Sequence, residues 1–305
     1  GKVGEREEES LSQFGESVED FIHEGGEFTI LINASNFFYR GGGLIGYLYL
    51  GPKRVVWDNY ERTTLRNFFY LGIVFIVGII HFGIFYQRKE DWGSFWFGLF
   101  CFMMASRYLS VSSYFDILFP SPSKFSFYLN RKIEFLSYYL AVPVFFEFLK
   151  YLFRDYFPEK YLKYIWRTCF FFSGIVILTA PYIFYETLLA FEVITVFLFV
   201  VIIVQLTRAS LKKVSHSRIC LAGIFILFFG VGWDILLNRG LVPQVELYLV
   251  SSITFIFIQS HIISVKFSNA YRIAERNNIQ LEYEVAERTK EISKFLDNLE
   301  SAMFS

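Results

Sequence analysis

Seven stretches of roughly 18 to 22 mostly apolar residues, separated by short charged or Pro/Gly-bearing breaks, constrain this 305-residue chain more than any other feature. They run over 67–86, 94–111, 133–153, 166–185, 188–207, 219–237 and 246–265. A helix rises about 1.5 Å per residue, so each stretch is long enough to cross a hydrocarbon core of about 30 Å. Lipid offers backbone amides no hydrogen-bond partner, and the runs are too long for barrel strands, so helices are the expected spanning unit. The expected fold class is therefore all-α membrane: a seven-transmembrane helix bundle over 61–267.

Composition agrees. Hydrophobic residues make up 54% of the chain and aromatic residues 21%, with 39 Phe, far from a soluble profile. A formal net charge of zero argues against nucleic acid as a partner. Cys101, Cys169 and Cys220 all fall inside spans, where lone thiols are small apolar groups. They have neither metal-ligand spacing nor a disulfide pattern, and no metal or cofactor is expected. The chain begins at Gly1 without a signal peptide and reads as a piece of a longer polypeptide.

Loop charge gives an orientation. The breaks after spans one, three and five carry Arg88, Lys89, Arg154, Lys160, Lys163, Arg208, Lys212, Lys213 and Arg218. Those after spans two, four and six carry only Lys124, Arg131, Lys132 and Arg239. The expectation is a multi-pass protein of the cell (inner) membrane, N-terminus outside and C-terminus cytoplasmic. The basic stretch 53–66 ahead of the first span opposes that assignment without reversing it.

Ahead of the spans, 1–60 reads as an extracellular segment. Residues 1–25 are polar and acidic. Two short runs, 27–34 (EFTILINA) and 44–50 (LIGYLYL), have strand-like composition and flank a turn ending in Gly41, Gly42 and Gly43. Two strands rarely hold together alone in water, so they read as the end of a truncated β-domain.

After the last span, 268–305 is polar, Glu-rich and free of Pro and Gly. An apolar seam runs through Tyr271, Ala274, Asn278, Leu281, Val285, Thr289, Ile292, Leu296, Leu299 and Met303. Its steps alternate three and four, as in a coiled coil, except that Leu281 to Val285 to Thr289 is two fours, a stutter that unwinds the supercoil. Asn278 in such a seam fixes register. The expected partner is a second copy of the chain, with a solvated unpaired helix as the alternative.

Inside the bilayer a charge is costly unless paired or hydrated, so ionisable residues are the candidates for function. Arg107, Glu134, Glu192 and Asp234 lie near the expected outer ends of four different spans. An Arg fork suits a carboxylate, pairing Arg107 with Glu134 or Asp234. Two readings stand open: a clamp between helices, or a vestibule for a ligand or signal. Toward the other end lie His81, Glu147 and His261, read as packing residues. Pro143 and Pro181 should bend their helices or end them early. Tyr138, Tyr139, Tyr151, Tyr182, Tyr185 and Tyr248 are read as interfacial or bundle-packing rings.

The stretch 32–51 (INASNFFYRGGGLIGYLYLG) resembles the end of the extracellular jelly-roll module of bacterial seven-transmembrane receptors with diverse intracellular signalling modules. The matching residues are Asn36, Phe37, Phe38, Arg40, Gly41, Gly42, Leu50 and Gly51. The resemblance continues through the spans at Arg107, the 133–144 segment (IEFLSYYLAVPV) and Trp233–Asp234. Glu287, Arg288 and Thr289 resemble the Glu-Arg-Thr signature of the helix that joins bacterial sensors to output domains. The resemblance implies a coil leading to a kinase, cyclase, diguanylate cyclase or phosphatase absent from this chain. By analogy with carbohydrate-binding jelly rolls it implies an extracellular small-molecule or carbohydrate stimulus.

The sequence holds no Gly-rich phosphate loop, no HExxH and no nucleophile-and-base spacing, so no enzyme is expected within the chain. The leading reading is a transmembrane signal receptor. The alternatives are a transporter or channel with the charged cluster as substrate site, and a dimeric membrane anchor without signalling. No internal repeat of the kind common in transporters is seen.

Overall fold

The structure is a computed structural model that describes residues 18, 21, 25, 29–31, 48–112, 114, 124–238, 241–242 and 247–303. The expected strand pair lies mostly outside these; residues 29–31 and 48–50 are described and form neither strand nor helix. Eight helices occur among the described residues: α1 Lys53–Gln87, α2 Trp92–Val111, α3 Lys124–Leu152, α4 Glu159–Leu178, α5 Pro181–Phe184, α6 Thr187–Leu211, α7 Ser217–Asn238 and α8 Tyr248–Met303. Six are long and apolar enough to cross a membrane, and a shorter apolar stretch, Ser217–Trp233, lies in α7. Helix covers most of each of the seven expected spans, and the fold is an all-α membrane bundle.

Local chemistry sets the helix ends. α1 begins directly after Pro52 and takes in the basic stretch 53–66, so that stretch is helix continuous with the first span. Asp91 starts α2: its carboxylate accepts from the Ser94 amide (3.4 Å) and the Ser94 hydroxyl (2.7 Å). The fourth expected span is cut short at Leu178. Pro181 drives Ala180 into extended backbone (ψ 161°), and only a single turn, α5, follows before α6. Pro143, by contrast, lies inside α3, which continues to Leu152.

α6 closes on Lys213 in the left-handed region (φ 57°), with Val214 N–H donating to the Ala209 carbonyl and Lys213 N–H to that of Ser210. Those are the bonds of a Schellman ending, with lysine where glycine is usual.

By compactness the chain divides into two units, Gly1–Phe257 and Ile258–Ser305. In the first, α3 packs against α2 and α4, α2 against α1, and α6 against α7. Its interior is built from rings. Phe97 meets Phe148 at 5.1 Å, Phe145 meets Phe255 at 5.7 Å, and Tyr139 meets Phe191 at 4.1 Å. The second unit is helix as far as Met303.

Candidate functional site

α3 organises the polar interior. Its first turns carry Ser126, Asn130 and Arg131, all buried. Arg131 forms a 2.5 Å ion pair with Glu134 one turn on, with side chains 5% and 14% exposed. A buried guanidinium is held by a nearby carboxylate because neither ion would leave water alone. Asn130 reaches the Ser110 carbonyl on α2 (3.5 Å), and Lys132 donates to the Ile177 carbonyl in the last turn of α4 (2.8 Å). That carbonyl has no intrahelical partner of its own, and a lysine at a helix C-terminus also answers its dipole. Loop counting assigned Arg131 and Lys132 to a connection. Both are instead part of α3, which begins at Lys124.

Arg107 of α2 points at the same part of α3. Its guanidinium lies 4.5 Å from the centre of the Tyr138 ring, and Nη1 donates to the Glu134 main-chain carbonyl (3.4 Å). The Arg107–Glu134 contact thus runs through the backbone, while the Glu134 carboxylate belongs to Arg131. Glu192 of α6, exposed at its own position, interacts electrostatically with Tyr138 and Tyr139, as does Arg107. Tyr138 is also bonded to Thr195 on α6, and Tyr139 shares a 2.8 Å hydrogen bond with Thr187.

Two of the four candidates, Arg107 of α2 and Glu192 of α6, therefore converge on the Tyr138–Tyr139 pair of α3, and Glu134 joins them only through its main-chain carbonyl. The Asp234 side chain lies outside the described residues, as do those of Leu296 and Leu299 in the seam; their backbones are helical. Sequence pattern marks Tyr138 and Tyr139 only as interfacial or bundle-packing rings. Pro143 was a usable signal, because it supplies no N–H to the carbonyl four residues back, which is that of Tyr139.

A second buried cluster joins the far ends of α1, α2 and α3. His81 is 1% exposed, stands edge-on to Phe97 at 4.9 Å, and interacts with Asp91. Tyr151 is hydrogen-bonded to Asp91, and its ring lies where a Cβ at Gly93 would be, so only glycine lets the two helices close here. Glu147 accepts from Trp166 Nε1 (3.1 Å) and pairs with Lys150 (3.4 Å), tying α3 to α4. His261 is exposed on α8.

In the second unit the seam residues Leu281, Val285 and Ile292 are each about 60% exposed, and Asn278 and Thr289 are exposed as well. The Thr289 hydroxyl donates to the Val285 carbonyl (2.7 Å), so its hydrogen is satisfied within the helix. Gln280–Glu284 and Arg288–Glu291 pairs (3.1 Å each) brace the same stretch.

Long apolar helices in series, with ionisable groups paired inside them, define a multi-pass α-helical membrane protein. The model of the family described as 7TM diverse intracellular signalling matches residues 63–266, two thirds of the chain, and the chain belongs to that family. No curated protein and no solved structure matches it. It is a membrane sensor of the signalling-receptor kind.

Proposed function

We propose that the chain receives a stimulus at the end of the bundle holding Arg107, Glu134, Glu192 and Asp234, and passes it through a dimeric coil to an output domain. One observation carries this reading: α8 is a single helix, 56 residues long, that contains both the last span and the exposed seam from Asn278 to Ile292. A helix that never breaks can carry rotation or translation along its axis, and the stutter at Val285 supplies an element with two near-equal packings. The N-terminus lies outside and the C-terminus in the cytoplasm, as the loop charges direct. Arg107 of α2 and Glu192 of α6 both act on Tyr138 of α3, so a change at this end of the bundle alters how those helices meet.

Two tests follow. Mass-spectrometric mapping of the natural polypeptide will find a signalling output domain after Ser305; a natural chain that stops near Ser305 would contradict the relay and leave an anchor. In that polypeptide, Val285→Lys puts an ammonium into the seam and abolishes regulation of the output; regulation intact in this variant would remove the coil as conduit.

A further inference from the structure

The membrane-facing side of α1 and α2 is not smooth. Ile79, Phe82, Gly83 and Tyr86 of α1 and Phe95 of α2 line an open apolar slot of about 620 Å³, and Lys89 in the α1–α2 connection closes one end of it. Rings lock into its wall. Phe82 and Phe85 stand 5.7 and 5.1 Å from Phe95, and Trp92 caps the row 5.3 Å from Phe85. The floor is Gly83, where an added Cβ would meet nothing within 4 Å. Ile79 and Tyr86 are 50% and 80% exposed, so the slot opens sideways, away from the bundle.

Both helices cross the membrane, so the medium outside the slot is hydrocarbon, and an acyl chain is the occupant its walls fit. The ionisable groups at its end decide which lipid. Lys89, exposed, is the one charged residue that lines the slot, and the Asp91 carboxylate of the same connection is buried and taken by Ser94, so an ammonium stands where α1 reaches the headgroup level. A second transmembrane helix would instead seek a flush face of small residues, which a slot between large rings does not offer.

We propose that the slot binds one anionic glycerophospholipid, its acyl chain over Gly83 and its phosphate on Lys89.

The test is native mass spectrometry of the chain released from nanodiscs of phosphatidylcholine and phosphatidylglycerol in equal amounts. Wild type retains phosphatidylglycerol in preference to phosphatidylcholine. Lys89→Gln lies outside the helices and lowers that preference about fivefold. Gly83→Leu fills the slot and removes retention of both lipids. Equal retention of the two lipids by wild type would overturn the assignment, as would undiminished phosphatidylglycerol on Lys89→Gln. Spontaneous disulfide formation between copies of Gly83→Cys would make the slot a chain–chain interface and overturn it too.

Discussion

α3 and α6 are both long membrane helices, of 29 and 25 residues, and the bundle uses them in opposite ways. Over half of the apolar segment of α3 is buried (56%), against 11% in α6, although α6 is the more apolar of the two. In water the greasier helix would be the inner one. In a bilayer the surroundings are as apolar as leucine, so nothing drives α6 inward, whereas the polar groups of α3 must find partners among other helices. Of these two helices, the more polar is the more buried. That is why the charged and hydroxyl groups gather on α3, and why the candidate site forms there.

Substitutions in the two helices separate sharply if this is right. The largest effect is expected from Glu134→Leu, which takes the paired carboxylate away from the buried Arg131 guanidinium and costs about 3–5 kcal/mol. Thermal unfolding in detergent micelles should fall steeply, and the double change with Arg131→Leu should recover most of the loss. If the single change were harmless, the ion pair would not hold α3 in place. Gly93→Ala comes next, at about 1–3 kcal/mol, because the new methyl runs into the Tyr151 ring at the α2–α3 contact. Phe197→Leu on α6, 65% exposed, should change the midpoint by no more than about 0.5 kcal/mol. A larger loss there would mean that α6 packs against protein, and the comparison would fail.

Much of this was legible in the sequence because membrane helices announce themselves by length and polarity. The seven spans are visible as runs, and the break after Leu178 is foreshadowed by Pro181. Other features depend on contacts that spacing does not encode. Arg131 looked like loop charge, since the apolar run begins only at Ile133, yet the helix starts nine residues earlier at Lys124. The Arg107 contact with Tyr138 joins residues 31 positions apart, with no local signature. The helical start at Lys53 was hidden because a basic, amphipathic stretch resembles a juxtamembrane linker. The left-handed backbone at Lys213 and His216 was equally invisible, since neither residue is one that favours it.

The relay through α8 is the centre of the account, and cysteine cross-linking in native membranes tests it most directly. Val285→Cys lies on the seam and Glu287→Cys faces away from it, two residues on around the same helix. The account predicts disulfide-linked dimers from Val285→Cys and none from Glu287→Cys. Equal cross-linking at both positions, or none at Val285→Cys, would contradict it.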